Sequence, residues 1–193
     1  MDRIKALLAV LLPASLVGFS APAAAQADAG WYIGAAYGMT SFDLDTAGIS
    51  NPVVDDSDSG FKIYGGFQFN RHLGAEVGYV DAGKATFSGS AFPIGAFSGE
   101  VKVTAITFAA VGTLPLNESF ALFARAGLAA WDAKVSANAL GLGGSADDSG
   151  TDLLIGIGAR FNLNKNWGLV LEYERVDTDE PVSMTSFGVR YKF

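Results

Sequence analysis

Apolar and polar residues alternate along much of the chain after residue 30. Over residues 61–69 every second residue is apolar or glycine, whereas the positions between them begin with Lys62. Because successive side chains of a strand point to opposite faces, this period-two pattern predicts strands with one apolar and one polar face. It predicts eight strands, near residues 31–41, 61–70, 73–79, 101–114, 120–131, 153–161, 167–174 and 186–193. The fourth is ambiguous in phase, and we assign Ile106, Phe108 and Ala110 to its apolar face.

Three short segments resemble one another in the order apolar, Asn, two polar residues, apolar, small, apolar. They begin at Phe69, Leu116 and Leu163, and their asparagines lie 47 residues apart both times. Asn tolerates the left-handed backbone conformation of tight turns, so each segment predicts a short hairpin turn. The remaining connections are predicted to be loops rich in Gly, Ser, Asp and Ala, at about residues 43–59, 82–99, 133–151 and 177–182.

Short turns at one rim and long loops at the other are typical of outer-membrane barrels. The sequence therefore predicts an all-β fold, an eight-stranded antiparallel up-and-down transmembrane β-barrel with both termini at the short-turn rim. A soluble ligand-carrying barrel has the same alternation with its apolar face inward. Two features favour an outward apolar face: glycines on the charged face leave room in a narrow lumen, and aromatic residues gather at the short-turn rim like a membrane girdle. These aromatic residues are Trp31, Phe69, Phe120, Phe161, Trp167 and Phe193.

The first residues have the order of a secretory signal peptide. A basic start precedes an apolar run over residues 6–19, and small residues follow. The run is shorter than the ~20 residues that a spanning helix needs, which argues against an uncleaved anchor. We expect cleavage after Ala25 or Ala27, and we take residues 1–27 as the signal peptide and residues 28–193 as the barrel domain.

Composition narrows the function classes. Half of the 193 residues are apolar, yet no segment after residue 30 is an apolar run of the ~18 residues that indicate a spanning helix. The chain contains no cysteine, so its stability must come from packing and pairing rather than from disulfides. The formal net charge of −7 argues against nucleic acid as a partner, because nucleic-acid-binding proteins usually carry a basic face.

The strand sequences resemble a known family. Segments 30–34, 73–79, 122–127 and 167–174 look like strands of the OmpA-like transmembrane domain and its small outer-membrane β-barrel relatives. The final strand resembles the C-terminal signal that the barrel-assembly machinery recognises in this class, through Phe187, Val189, Tyr191 and Phe193. The resemblance covers essentially all of the mature chain.

The resemblance also implies a location and partners. It places the protein in the cell outer membrane, in contact with outer-membrane lipid and lipopolysaccharide, and we expect a monomer. Full-length OmpA proteins continue into a periplasmic peptidoglycan-binding domain. We do not expect that domain here, so cell-wall binding is not carried over from the family.

Charged residues on the polar face are the candidate functional groups. They are Lys62, Glu76, Arg125, Arg160, Glu172, Glu174, Arg190 and Lys192. In a small lumen, charges of both signs must pair or hold water. One hypothesis is a plug, in which a salt-bridge network fills the barrel, and the alternative implied by the resemblance is a gate in a narrow ion pathway. Glu76 and Arg125 are the pair that we most expect to meet.

Catalysis is not expected. His72 is the single histidine, and it lies in a predicted short turn, away from the outer rim where lipid A or an external substrate would be. We recognise no metal-ligand cluster, cofactor motif or phosphate-binding loop, so neither a metal nor a cofactor is expected.

The long loops are acidic. Their carboxylates are Asp43, Asp45, Asp55, Asp56, Asp58, Asp147, Asp148, Asp152, Asp177, Asp179 and Glu180. Such residues are usually solvated, although carboxylate oxygens also suit divalent cations that bridge to lipopolysaccharide phosphates.

Three functions are compatible with these features. The leading one is a structural outer-membrane barrel that displays surface loops. The second is a small ion-conducting pore gated by the lumenal charges. The third is an adhesin or surface antigen whose loops bind an external ligand, since loops on a rigid scaffold carry specificity. No recognition motif in the loops identifies such a ligand.

Deleting Phe193 is expected to impair assembly more than stability. The deletion removes one rim aromatic, worth about 2 kcal/mol of burial, from the strand that resembles the assembly signal. Most of the variant should therefore fail to insert in cells. Quantification in outer-membrane fractions measures this, and normal levels of the variant would contradict it.

Overall fold

A computed structural model describes residues 29–42, 50–55, 57–91, 95–139, 142–178 and 180–193. The predicted signal peptide lies outside these residues. The strands are β1 (Gly30–Phe42), β2 (Ser50–Asp55), β3 (Ser57–Gln68), β4 (Leu73–Ala91), β5 (Gly95–Pro115), β6 (Phe120–Ala139), β7 (Leu142–Asn162), β8 (Trp167–Val176) and β9 (Val182–Lys192). Within the described ranges, no helix is long and apolar enough to cross a membrane.

The strands close into an antiparallel barrel. Neighbours follow the order β4-β3-β1-β9-β8-β7-β6-β5, and β5 pairs again with β4. The short strand β2 continues the line of β3 and pairs with the outer part of β4, with Asp55 opposite Thr86. Strands β1 and β9 join the two ends of the chain, with Tyr32 opposite Lys192. Counting β2 with β3, the predicted eight-stranded barrel is confirmed.

Large apolar side chains point outward along β1 and along each of the strands from β3 to β9. In β7, Leu153, Ile155 and Ile157 are 51%, 48% and 65% exposed, whereas Leu154 between them is fully buried. In β5, Ile106 and Phe108 also point outward, as assigned from the sequence. Soluble proteins rarely expose a contiguous apolar surface that covers all of their strands, whereas transmembrane barrels expose such a surface to lipid. The outward apolar face is therefore the lipid face.

The three short turns are built alike, and asparagine stabilises each of them through its side chain. Asn70 Oδ1 accepts hydrogen bonds from the backbone N–H groups of His72 at 2.8 Å and Leu73 at 2.9 Å. Asn117 and Asn164 accept the corresponding bonds in the other two turns. The structure thus adds a side-chain acceptor role to the backbone preference on which the sequence prediction rested.

The predicted long loops at 82–99 and 133–151 are largely wrong, because most of these residues are paired strands. Strand β4 runs to Ala91 and β5 begins at Gly95, while β6 runs to Ala139 and β7 begins at Leu142. Gly, Ser and Asp have low strand propensity, which favoured a loop prediction. The pairing partner decides instead, because each arm of an antiparallel hairpin satisfies the backbone hydrogen bonds of the other. Part of the loop predicted at 43–59 is likewise strand, in β2 and the start of β3.

A bulge marks the place where β4 leaves the apolar belt. The register with β5 shifts between Asp81 and Lys84, and Gly83 adopts a φ of 77°, a conformation that favours glycine. The backbone N–H of Lys84 donates to Asp58 Oδ2 at 2.9 Å, and that of Ser59 donates to Asp58 Oδ1 at 2.7 Å. These bonds hold the pKa of Asp58 below its ordinary value. The bulge thereby joins β3 and β4 at the start of the long hairpins.

Replacing Ile157 with arginine should destabilise the barrel in lipid by about 2–4 kcal/mol, because this residue lies mid-way along the outward apolar run of β7. Thr151→Arg is the matched control, since Thr151 has the same outward phase on β7 beyond that run. It should cost about 0–1 kcal/mol, as expected near an interface. Folding titrations in lipid vesicles compare the two, and equal costs would contradict the assignment of the lipid face.

Candidate functional site

A layer of charged side chains crosses the middle of the lumen. It consists of Lys62 from β3, Glu76 from β4, Arg125 from β6, and Glu172 and Glu174 from β8. Each of them has the inward phase of its strand, and all five are between 0% and 8% exposed. Charges this far from water must be compensated by partners inside the barrel.

Lys62 is held between two carboxylates of the opposite wall. Its Nζ donates to Glu172 Oε2 and to Glu174 Oε2, both at 2.7 Å. The two acceptors belong to β8, which is three strands from β3 around the barrel, with β1 and β9 between them. The lumen is therefore narrow enough for side chains of non-adjacent strands to meet.

Arg125 contacts all three glutamates of the layer. Its Nη1 lies 2.7 Å from Glu76 Oε1 and 3.5 Å from Glu174 Oε2, and its Nε pairs with Glu172 Oε1. The predicted pair of Glu76 and Arg125 is therefore present, but Glu76 is not the only partner of Arg125. The planar guanidinium group, with its several N–H donors, allows the other two contacts at the same time.

Arg190 joins the layer through an aromatic ring. Its guanidinium carbon lies 3.7 Å from the ring centroid of Tyr32, and its Nη2 donates to Gln68 Oε1 at 3.3 Å. The Tyr32 hydroxyl in turn donates to Glu76 Oε2 at 3.2 Å. With Arg190 included, three basic and three acidic side chains balance across the lumen. Tyr32 was not singled out in the sequence, although an aromatic residue in the polar phase of a strand is an available signal.

Arg160 and Lys192 lie on the short-turn side of the charged layer, and Arg160 also borders the small cavity at that layer. Both are half-buried and line a vestibule of about 950 Å³ at the short-turn rim, together with Arg71. The reason is their position along the strands, because Arg160 is close to the end of β7 and Lys192 is the last residue of β9. The predicted set of lumenal charges thus divides into a central layer and a basic vestibule.

Glycines leave room for the largest inward side chains. Arg125 lies directly opposite Gly156, and a Cβ atom on Gly156 would come within 2.8 Å of Arg125 Cγ. The prediction that lumenal glycines make room for charged side chains holds at this position, whereas four other lumenal glycines lie opposite aromatic rings. The opposed pairs are Tyr32 with Gly66, Tyr64 with Gly34, Phe123 with Gly158 and Trp131 with Gly150.

The layer leaves almost no open space. The cavity bounded by Tyr32, Tyr64, Glu76, Phe123 and Arg125 has a volume of about 20 Å³, which is room for about one water molecule. Chambers of about 950 Å³ and 610 Å³ lie towards the short-turn end and the long-hairpin end respectively. The lumen therefore narrows to closure at the charged layer.

The other residues considered in the sequence are not brought together. His72 lies at the short-turn rim, where its Nε2 accepts a hydrogen bond from Arg71 Nε at 3.0 Å. Among the described residues, no three His, Asp or Glu side chains converge in a manner suited to a metal ion. Asp43, Asp45, Asp56 and Asp179 lie outside the described residues.

A closed strand barrel with an apolar belt outside and paired charges inside is a transmembrane β-barrel. The sequence matches the model of the Outer membrane protein beta-barrel domain over residues 11–193, and the chain belongs to this family. Its location is the cell outer membrane.

Relatives support the same assignment. The chain is 29% identical to Outer membrane protein A of Serratia marcescens and 30% identical to that of Yersinia pseudotuberculosis, over 96% of its length in both cases. It spans 55% of the length of each of these relatives. The fold is similar to that of Ail of Yersinia pestis, with a TM-score of 0.59 at 23% identity over 86% of this chain and 99% of Ail. It is also similar to OprG of Pseudomonas aeruginosa, with a TM-score of 0.57 at 14% identity over 85% and 97%.

Glu76→Gln and Arg125→Met are each expected to destabilise the barrel by about 3–5 kcal/mol, because each leaves an uncompensated charge buried in the layer. The double variant should lose less than the sum, by about 0.5–3 kcal/mol of coupling. Urea titrations of the four proteins in lipid measure the cycle. Glu100→Gln is the control, since its pair with Lys84 at 3.4 Å is exposed and should contribute less than about 1 kcal/mol. Strict additivity would show that Glu76 and Arg125 are not coupled.

Proposed function

We propose that this protein is a structural outer-membrane barrel with a sealed lumen, which presents its long hairpins outside the cell. The observation that carries the proposal is the charged layer, where buried ion pairs leave a cavity of only about 20 Å³ between the two wider chambers. An ion crossing the barrel would have to separate these pairs. Removing the partner of a buried charge costs about 3–5 kcal/mol, which makes spontaneous opening rare.

The paired hairpins suit display. Strands β4 and β5 remain hydrogen-bonded beyond the apolar belt as far as Ala91 and Gly95. Their outward residues there are charged, with Lys102 Nζ 3.2 Å from Asp81 Oδ2. Strand β1 begins and β9 ends at the opposite rim, and the hairpins face outward from the cell when that short-turn rim is periplasmic. We also propose that the chain is a monomer, and that β9 carries its signal for the barrel-assembly machinery.

A role as an adhesin is the second candidate, because stiff hairpins hold their tips far from the membrane. Ail has been crystallised with the heparin analogue sucrose octasulfate. The β6–β7 hairpin of this chain instead exposes Asp132, Asp147 and Asp148. Like charges repel, so an external ligand of this hairpin would be neutral or cationic rather than sulfated.

Planar-bilayer recordings test the sealed lumen. The wild-type barrel should show no single-channel steps. Lys62→Met, which leaves Glu172 and Glu174 without their amine partner, should introduce conductance or instability, whereas Lys102→Met removes the same charge outside the lumen and should stay silent. Wild-type conductance that changes in Lys62→Met but not in Lys102→Met would replace the plug with a gated pore.

A further inference from the structure

The lumen contains a chamber on the long-hairpin side of the charged layer. A sealed barrel that displays hairpins does not require the apolar and acidic lining of this chamber. Its volume is about 610 Å³, and apolar side chains from seven strands line much of it. These include Phe42, Val80, Val103, Leu154 and Met184. Ligand pockets in proteins have volumes of this order and are mostly apolar with a few placed polar groups.

The charged side chains that line this chamber are all acidic. Acidic residues that line it are Asp148, Asp152, Glu174, Asp177 and Glu180. No Lys, Arg or His is found among the described residues of its lining. Glu174 is neutralised by Lys62 at 2.7 Å, but the other carboxylates belong to the outer part of the chamber. A cavity of one sign with low-dielectric walls concentrates ions of the opposite sign.

One wall is a fixed aromatic ring. Trp131 lies directly opposite Gly150, where a Cβ atom would come within 2.7 Å of the indole. The indole Nε1 donates to Asp152 Oδ2 at 2.6 Å. Gly150 and Asp152 therefore orient the ring, which offers a cation both a π face and a neighbouring carboxylate.

We propose that this chamber binds a small amphiphilic cation from outside the cell. Its apolar walls include Phe42, Trp131, Ala133, Leu154 and Met184, and its acidic rim consists of Asp148, Asp152, Asp177 and Glu180. The apolar walls take its hydrocarbon part, and Trp131 with the rim carboxylates takes its charge. The charged layer closes the other end, so the chamber is a terminal binding site and not a passage. The proposal does not depend on display by the hairpins.

The test uses the full-length barrel in lipid nanodiscs and hexyltrimethylammonium as the probe. Trp31→Phe and Trp167→Phe in the background leave Trp131 as the only tryptophan, so its fluorescence reports on the chamber itself. Saturable change of this signal is expected, after subtraction of empty nanodiscs. Hexanol and hexanesulfonate, which share the tail but lack the positive charge, should bind more weakly.

Two matched variants locate the site. Ala133→Phe fills the chamber and should weaken binding by about tenfold or more, a loss of about 1.4 kcal/mol per factor of ten. Ala126→Phe makes the same change on the outward face of β6 and should leave binding unchanged. If Ala133→Phe does not fold, Val135→Phe serves, since Val135 also lines the chamber. Asp148→Asn should lower the affinity for hexyltrimethylammonium a few-fold and leave the affinity for hexanol unchanged.

Three results would overturn the proposal. One is a signal that never saturates and matches partition into empty nanodiscs. Another is equal binding by the inward and outward phenylalanine variants. The third is equal affinity for the cation, the alcohol and the sulfonate, because the acidic rim would then have no part in recognition. None of these results bears on whether the lumen conducts ions.

Discussion

Backbone hydrogen bonding in hydrocarbon constrains every other feature of this barrel. Inside a membrane no water satisfies an unpaired N–H or C=O group, so a strand can cross only if both of its edges are paired. Here β1 pairs with β3 and with β9, and the sheet is completed between β4 and β5. Eight strands are enough to close this circle, and the lumen they enclose is only wide enough to be filled by side chains.

A narrow lumen explains the arrangement inside it. Several of the largest inward side chains lie opposite glycine on one neighbouring strand, as Arg125 does with Gly156 and Phe123 with Gly158. Glycine opposite a ring is a known means of packing a sheet face without a clash. Charges then meet across the lumen rather than along one strand, as Lys62 does with Glu172. Because several carboxylates share two buried cations, loss of one member would leave the rest uncompensated.

The lumen is also polarised along its axis. The short-turn vestibule is rich in basic residues, including Arg71 and Arg160. The chamber at the other end is apolar with an acidic rim, including Asp148 and Asp177. The two ends therefore differ in chemistry although one continuous sheet forms both.

The eight barrel strands, their two faces and the short turns could be predicted from sequence patterns alone. These follow from local physics: period-two alternation sets which side chains share a face, and an asparagine such as Asn117 stabilises its turn within a few residues. Local propensity failed for the hairpins, because residues 133–151 are rich in Gly, Ser and Asp and become strand only by pairing with each other. The site depended still more on tertiary structure. Glu76 and Arg125 could be assigned to one lumen from their phase. The contacts of Arg125 with Glu172 and Glu174 depend instead on the register of β6, β7 and β8, in which Gly156 lies opposite both Arg125 and Glu174. The chamber around Trp131 arises in the same way, since no single strand contains its walls.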